Sequence, residues 1–146
     1  MTLLKRTIQA TCLFLALSIS PPLFAEATPE LIFSCWLPDP DKDVKVYENE
    51  YMYFLTYGTP RSSTDAILAQ ERSKTTTKHK YSSTEKETTE YFEVTFNVDD
   101  YSIMVEYSMW QGKRVGAFTV EVDGKEFESH HCVNSSVFFK STHESE

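Results

Sequence analysis

Glycine is scarce in this chain, with four residues in 146. Glycine-rich turns let the backbone approach phosphate groups closely, and neither a phosphate loop nor a dinucleotide-binding turn is present. The Gly-x-Ser-x-Gly turn that carries a nucleophilic serine is also missing. No other nucleophile, set of metal ligands or acid–base pair can be recognised. The sequence therefore argues against an enzyme, and we expect no cofactor.

Positive charge is in short supply as well. The chain has 14 Lys and Arg residues against 22 Asp and Glu residues, and its formal net charge is −8. Bringing so acidic a chain close to phosphates costs Coulomb energy. Nucleic acid and anionic lipid are therefore poor partners, and a basic protein is a better one.

Long apolar runs are absent after the first twenty residues of the chain. Lys5 and Arg6 precede an apolar stretch over 10–19, and small residues follow at Ala25 and Ala27. The stretch is too short to span a bilayer, and this order of features is that of a secretory signal peptide. We expect 1–25 to be removed, with cleavage after Ala27 as the alternative. The product, 26–146, is then one exported domain of formal charge −10, without membrane insertion.

Cysteine is limited to three residues, and Cys12 lies within the signal peptide. The remaining pair, Cys35 and Cys132, is an even count in an exported protein, which favours one disulfide. Closing so long a loop is worth roughly 4–5 kcal/mol in the chain-entropy model.

The stretch "ESHHC", residues 128–132, offers an alternative role for Cys132. Two histidines beside a cysteine resemble a metal site. In a strand, however, His130 and Cys132 share one face and His131 takes the other. A zinc ion would need further ligands, and His79 and His143 lie in polar stretches. The disulfide is the favoured interpretation, with zinc as the alternative.

Aromatic residues are plentiful, since Tyr and Phe together number eighteen. They favour pleated, half-buried surfaces. Residues 91–98 alternate strictly between apolar and polar, which indicates a strand with one buried face. Two-residue turns at 99–100, 111–112 and 123–124 then separate further alternating segments. These patterns predict a four-stranded antiparallel meander with strands at 91–98, 101–109, 114–122 and 125–133.

The first half of the chain is also predicted to be β. Strands are expected at 31–36, 44–47 and 51–57. Residues 61–90 are rich in Ser and Thr, and we predict strands at 66–71 and 75–83, the second on an exposed edge, with a loop at 84–89. The tail, 141–146, is predicted to be disordered. The chain is therefore an all-β, single-domain antiparallel sandwich or strongly twisted meander of about seven to eight strands with one disulfide.

Two groups of side chains are candidates for binding a partner. The first crowds one hairpin tip with residue types that are enriched at protein interfaces. Its members are Tyr107, Met109, Trp110, Gln111, Lys113 and Arg114. The alternative is that Trp110 folds back to cap the core. The second group is an acidic row, Glu121, Glu126 and Glu128, in which Glu126 and Glu128 share a face. Adjacent like charges invite a basic partner, although a plain solvated face is the alternative.

The chain resembles a known group of proteins in several stretches. These are an early "FSCW", a late "HHC" and the central run "YFEVTFNVDDYSIMVEYSMWQGKRVGAF". Together with the signal peptide and the acidic β-rich composition, they resemble the periplasmic immunity proteins of bacterial type VI secretion systems. The resemblance is to the Vibrio type that antagonises a spike-fused muramidase effector.

The resemblance implies a periplasmic inhibitor without catalytic activity of its own. It would bind a cognate peptidoglycan hydrolase, block the active-site cleft, and form a homodimer. Periplasmic inhibitors of c-type lysozymes share the general plan, but their Ser-Gly-rich and Thr-Lys-Gly loops are missing here, so no residue role is carried over from them. The main alternative is a periplasmic small-ligand-binding β module, with inward aromatic residues lining a cavity.

Overall fold

The structure is a computed structural model, and it describes residues 28–59 and 63–141. Within these ranges the chain forms ten strands and two single-turn 3₁₀ helices, Arg72–Lys74 and Asn134–Ser136. The strands are β1 Glu30–Leu37, β2 Lys42–Glu48, β3 Met52–Thr59, β4 Ser63–Glu71, β5 Thr76–Ser83, β6 Thr88–Val98, β7 Tyr101–Trp110, β8 Lys113–Val122, β9 Lys125–His131 and β10 Phe138–Phe139.

The strands form two antiparallel five-stranded sheets. The first sheet has the order β10-β1-β2-β3-β4 and the second the order β5-β6-β7-β8-β9. The chain completes four strands of the first sheet and crosses to the second through Arg72–Lys74. It then returns through Asn134–Ser136 to place β10 beside β1. The first sheet therefore contains both the first and the last strand of the described chain.

One apolar core lies between the two sheets. Phe33, Val44 and Val46 of the first sheet have no exposed surface, and neither do Val94, Phe96 and Val105 of the second. Aromatic rings join the layers: Tyr57 stacks on Phe118 with centroids 5.2 Å apart, and Phe139 stacks on Tyr107 at 4.5 Å. The alternation read from the sequence is the cause, because every second residue of a strand points to the same face.

A disulfide ties the first strand to the segment that follows β9. The Sγ atoms of Cys35 and Cys132 are 2.07 Å apart. Just beyond it, the amide of Val133 donates a hydrogen bond of 2.9 Å to the carbonyl of Trp36. Gly116 of β8 lies against this link, since a Cβ there would come within 2.7 Å of the Cys132 Sγ. A side chain at position 116 would therefore collide with the bridge.

The structure confirms the all-β sandwich with one disulfide and contains ten strands, more than the seven to eight expected. The meander, its turns and the exposed edge strand β5 are present. The two-residue β10 is too short to show a periodicity, and the loop predicted at 84–89 is shorter because β6 begins at Thr88.

The predicted signal peptide and positions 142–146 of the tail lie outside the described residues. None of the described helices is long and apolar enough to cross a membrane.

Candidate functional site

The β7–β8 hairpin ends in a tight two-residue turn. Gln111 and Gly112 have φ values of 51° and 73°, and Trp110 pairs with Lys113 on either side. Positive φ at both central positions is the signature of a type I′ turn, whose twist matches that of the flanking strands. The tip is thus held in one conformation by its backbone.

Trp110 projects from this tip on the outer face of the second sheet. It shares that face with Ser108 and Glu106, because alternate residues of β7 point the same way. Its side chain is 60% exposed, so it does not fold back to cap the core. An exposed indole on a rigid turn is a strong candidate for a contact with another molecule.

The other residues predicted at the tip divide into two sets. Tyr107 is buried between the sheets, and Met109 packs against the core on the same inner face. Those two side chains stabilise the sandwich and do not belong to the exposed tip. Gln111, Lys113 and Arg114 are exposed, and neither cation forms an ion pair with the described part of the chain.

The predicted acidic row is divided by a β-bulge in β9. Glu121 lies opposite Glu126, whereas Glu128 lies opposite Val120, and the register shifts between these pairs. The extra residue, Phe127, reverses the alternation, so Glu126 and Glu128 do not share a face. Glu128 contacts His130 instead, which leaves only Glu121 and Glu126 as a pair on the outer face.

A hydrogen-bonded network of charged groups occupies the middle of the same outer face. The Tyr91 hydroxyl contacts the carboxylates of Glu93 and Glu106 at 2.5 and 3.0 Å, and the Lys78 ammonium lies 2.7 Å from Glu93. Tyr91 and Glu93 share a face because they are two residues apart in β6. Glu106 and Lys78 join them through the strand register, which the sequence alone did not provide.

The surroundings of this network shift the pKa values of two of its members. Partial burial, and then the hydrogen bonds to the two carboxylates, raise the pKa of Tyr91. Burial alone would raise the pKa of Glu93, but the Lys78 ammonium and the hydroxyls of Tyr91 and Thr95 outweigh it and lower that pKa. The Glu93 carboxylate is therefore charged although it is buried, and each of its two oxygens has a hydrogen-bond or ion-pair partner.

A metal site is not assembled by the residues described here. Within 28–59 and 63–141, no three His, Cys, Asp or Glu side chains are grouped closely enough to hold an ion. Cys132 is bonded to Cys35, and His130 contacts Glu128. In the acidic loop after β1, the Asp41 carboxylate accepts a hydrogen bond of 2.8 Å from the Trp36 indole.

The pocket between the ends of the two sheets bears on the small-ligand alternative. It has a volume of about 270 Å³ and includes Tyr57, Leu68, Ile103 and Phe118 among its lining residues. No charged side chain lines it, and its polar groups are limited to tyrosine hydroxyls and backbone. A specific ligand site normally adds several polar groups that fix the orientation of the ligand. The lining of this pocket offers few such groups, which is an argument against the small-ligand alternative.

Comparisons of the chain with protein-family models, with curated proteins and with solved structures found no match. The protein is thus described by its own structure: a disulfide-linked β-sandwich whose rigid hairpin tip exposes an indole and two cations.

Proposed function

We propose that the chain is a periplasmic immunity protein that binds a cognate peptidoglycan-degrading, muramidase-like effector of a type VI secretion system and blocks its cleft. The observation that carries this proposal is the β7–β8 tip, with Trp110 and Lys113 exposed on one face of the hairpin and Arg114 exposed on the other. The resemblance in sequence supplies the class of partner. In this proposal the protein has no catalytic role.

The chemistry of such a cleft suits the tip. Glycoside hydrolases cleave with a pair of carboxyl groups that flank the bond to be broken. Lys113 and Arg114 form no ion pair with the described residues, so both can bind carboxylates inside the cleft. Trp110 then supplies an apolar contact of the kind that carries most of the binding energy in protein–protein interfaces. The remaining acidic surface faces the basic rim of the partner.

The proposal also includes the cellular location and the assembly. Export through the N-terminal signal sequence places the chain in the periplasm, an oxidising compartment in which a disulfide persists. The Cys35–Cys132 bridge supports this location. The homodimer follows from the resemblance, and the acidic pair Glu121 and Glu126 remains a candidate contact for the basic rim of the hydrolase.

The test is a triple variant, Trp110→Ala with Lys113→Ala and Arg114→Ala. Its affinity for a purified cognate hydrolase domain, measured by calorimetry, should fall by more than tenfold, or about 1.4 kcal/mol. Inhibition of peptidoglycan digestion should weaken in parallel, while the circular dichroism spectrum stays that of the parent.

A matched control removes one exposed aromatic residue and two exposed lysines elsewhere, as Tyr51→Ala with Lys74→Ala and Lys125→Ala. It makes the same change in net charge and should keep full affinity. Unchanged binding by the triple variant, or equal loss in both variants, would reject the β7–β8 tip as the inhibitory element.

A further inference from the structure

The outer face of the second sheet carries a groove that the hairpin tip does not account for. Strand register places Lys80, Tyr91, Ser108 and Val115 in one row across β5, β6, β7 and β8. Two depressions, of about 470 Å³ and about 160 Å³, meet at Tyr91 and Ser108, which line both. Because neighbouring strands are ~4.8 Å apart, the combined groove runs for roughly 14 Å across four strands.

The lining of the groove combines an aromatic wall with polar groups and a floor of small residues. Trp110 forms one wall, and Tyr91 lies in the middle. Ser108, Val115 and Ala117 keep the floor low. The Tyr91 hydroxyl engages Oε1 of Glu106, and no described residue donates a hydrogen bond to Oε2 of that carboxylate. One acceptor is thus available beside an aromatic ring and a serine hydroxyl.

The charges that line the groove do not favour a polyanion. Lys80 lies at one end and Glu106 at the other, and Glu90 also lines the larger depression. The Glu90 side chain is buried, and its Oε1 atom is engaged by His79 and Ser141. The exposed lining therefore carries little net charge, and the surplus is negative, which disfavours a polyanion.

The backbone in the middle of this face cannot bind an added strand, whereas β5 at its end has a free edge in the described part of the chain. β6 and β7 are each paired on both sides, so their amide and carbonyl groups are already used. An extended peptide is usually captured through an unpaired sheet edge, where its own backbone can join the ladder. A ligand over β6 and β7 must instead be recognised by side chains alone.

From this geometry we infer that the groove binds a neutral oligosaccharide, specifically a short chain of N-acetylated hexosamines. The apolar face of a sugar ring packs on Trp110, and ring hydroxyls donate to Glu106 and exchange hydrogen bonds with Ser108. The small apolar floor at Val115 and Ala117 accepts an acetamide methyl group. The inference shares Trp110 with the proposed hydrolase contact but is otherwise separate from it, because Glu106 and Ser108 lie outside the cationic tip.

The experiment is a titration of the ¹⁵N-labelled protein with chitotetraose, followed by amide chemical shifts. Saturable shifts are expected at β6, β7 and β8 around Tyr91 and Ser108. Glu106→Ala and, separately, Trp110→Ala should weaken binding at least tenfold, because each removes one of the main contacts. Glu106→Ala leaves the Tyr91 hydroxyl bonded to Glu93, so the sheet should remain folded.

Two further variants separate this inference from the proposed function. Lys113→Ala with Arg114→Ala should keep sugar binding while it loses hydrolase affinity, and Tyr51→Ala should keep both. The absence of saturable shifts at millimolar chitotetraose, or shifts that map away from the groove, would overturn the inference. Loss of hydrolase affinity in Glu106→Ala without any sugar binding would assign the groove to the protein partner instead.

Discussion

At the scale of single residues, the Tyr91 hydroxyl has an unusual position between two carboxylates. The phenol stays protonated more readily than in water because it is partly buried and its one proton is shared between Glu93 and Glu106. Ionisation would place a third negative charge beside those two. The folded protein therefore holds this proton at pH values at which the unfolded chain, with a pKa near 10.0, releases it.

This difference in proton affinity predicts a loss of stability at alkaline pH. A pKa raised by folding contributes stability that is complete below the unfolded value and disappears as the pH rises through the folded value. The free energy of unfolding of the parent minus that of Tyr91→Phe should be constant from neutral pH to pH 10.0 and should decline above it. Urea denaturation across this range measures both.

Two other tyrosines serve as an internal control for the alkaline experiment. A hydrogen bond to Glu50 raises the pKa of Tyr51, and burial raises that of Tyr53. Both remain in the variant, so their contributions cancel in the difference. Parallel stability curves for the parent and Tyr91→Phe at every pH would show that the carboxylate network does not bind this proton more tightly.

At the scale of elements, β10 is a short edge strand of the first sheet that sends one side chain into the core. Its two residues face opposite ways: Phe139 is 7% exposed and Phe138 is 41% exposed. The Phe139 ring contacts Tyr107 at 4.5 Å and Phe92 at 5.0 Å between centroids. The Phe139 ring of this two-residue strand thereby fills part of the space between the sheets.

The two phenylalanines of β10 form a matched pair for mutation. Phe139→Ala removes a ring from a packed core and should lower the free energy of unfolding by about 3–5 kcal/mol. Phe138→Ala removes a partly exposed ring from the same strand and should change it by less than about 1 kcal/mol. Chemical denaturation of both variants provides the comparison, and equal effects would contradict the role assigned to Phe139.

The sequence predicted the elements whose signals are local. Strict alternation and two-residue turns were sufficient for the meander of β6 to β9, and cysteine count was sufficient for the bridge between Cys35 and Cys132. β10 was missed because two residues carry no period. The acidic row was misplaced because the bulge at Phe127 reverses the alternation, and nothing in the local pattern marks it.

The candidate site was predictable only in part for a similar reason. The sequence placed Trp110 and two cations at a tight turn, but it left open whether Trp110 folds back onto the core, and the structure shows that Trp110 is exposed. The sharing of Tyr91 between Glu93 and Glu106 depends on which residues of two strands lie opposite each other. The groove also requires this register, together with the packing of small side chains beside Trp110.

At the scale of the whole molecule, two links hold together the first and last parts of the described chain. The disulfide joins positions 97 residues apart in sequence, and β10 pairs with β1 close by. The backbone bonds from Val133 to Trp36 and from Lys140 to Ile32 continue this junction. Because the second link consists of hydrogen bonds and buried rings, the sandwich should persist without the first.

Removal of the disulfide should therefore weaken the molecule without abolishing its fold. Cys35→Ala with Cys132→Ala should lower the free energy of unfolding by about 2–5 kcal/mol, since the unfolded chain regains the freedom that a long loop had lost. Urea denaturation measures the loss, and a reductant should produce a similar loss in the parent and none in the variant. A variant as stable as the oxidised parent would contradict the stabilising role of the bridge. The same difference bears on the proposed export, because a precursor in a reducing cytoplasm lacks this stabilisation and gains it only where the bridge can form.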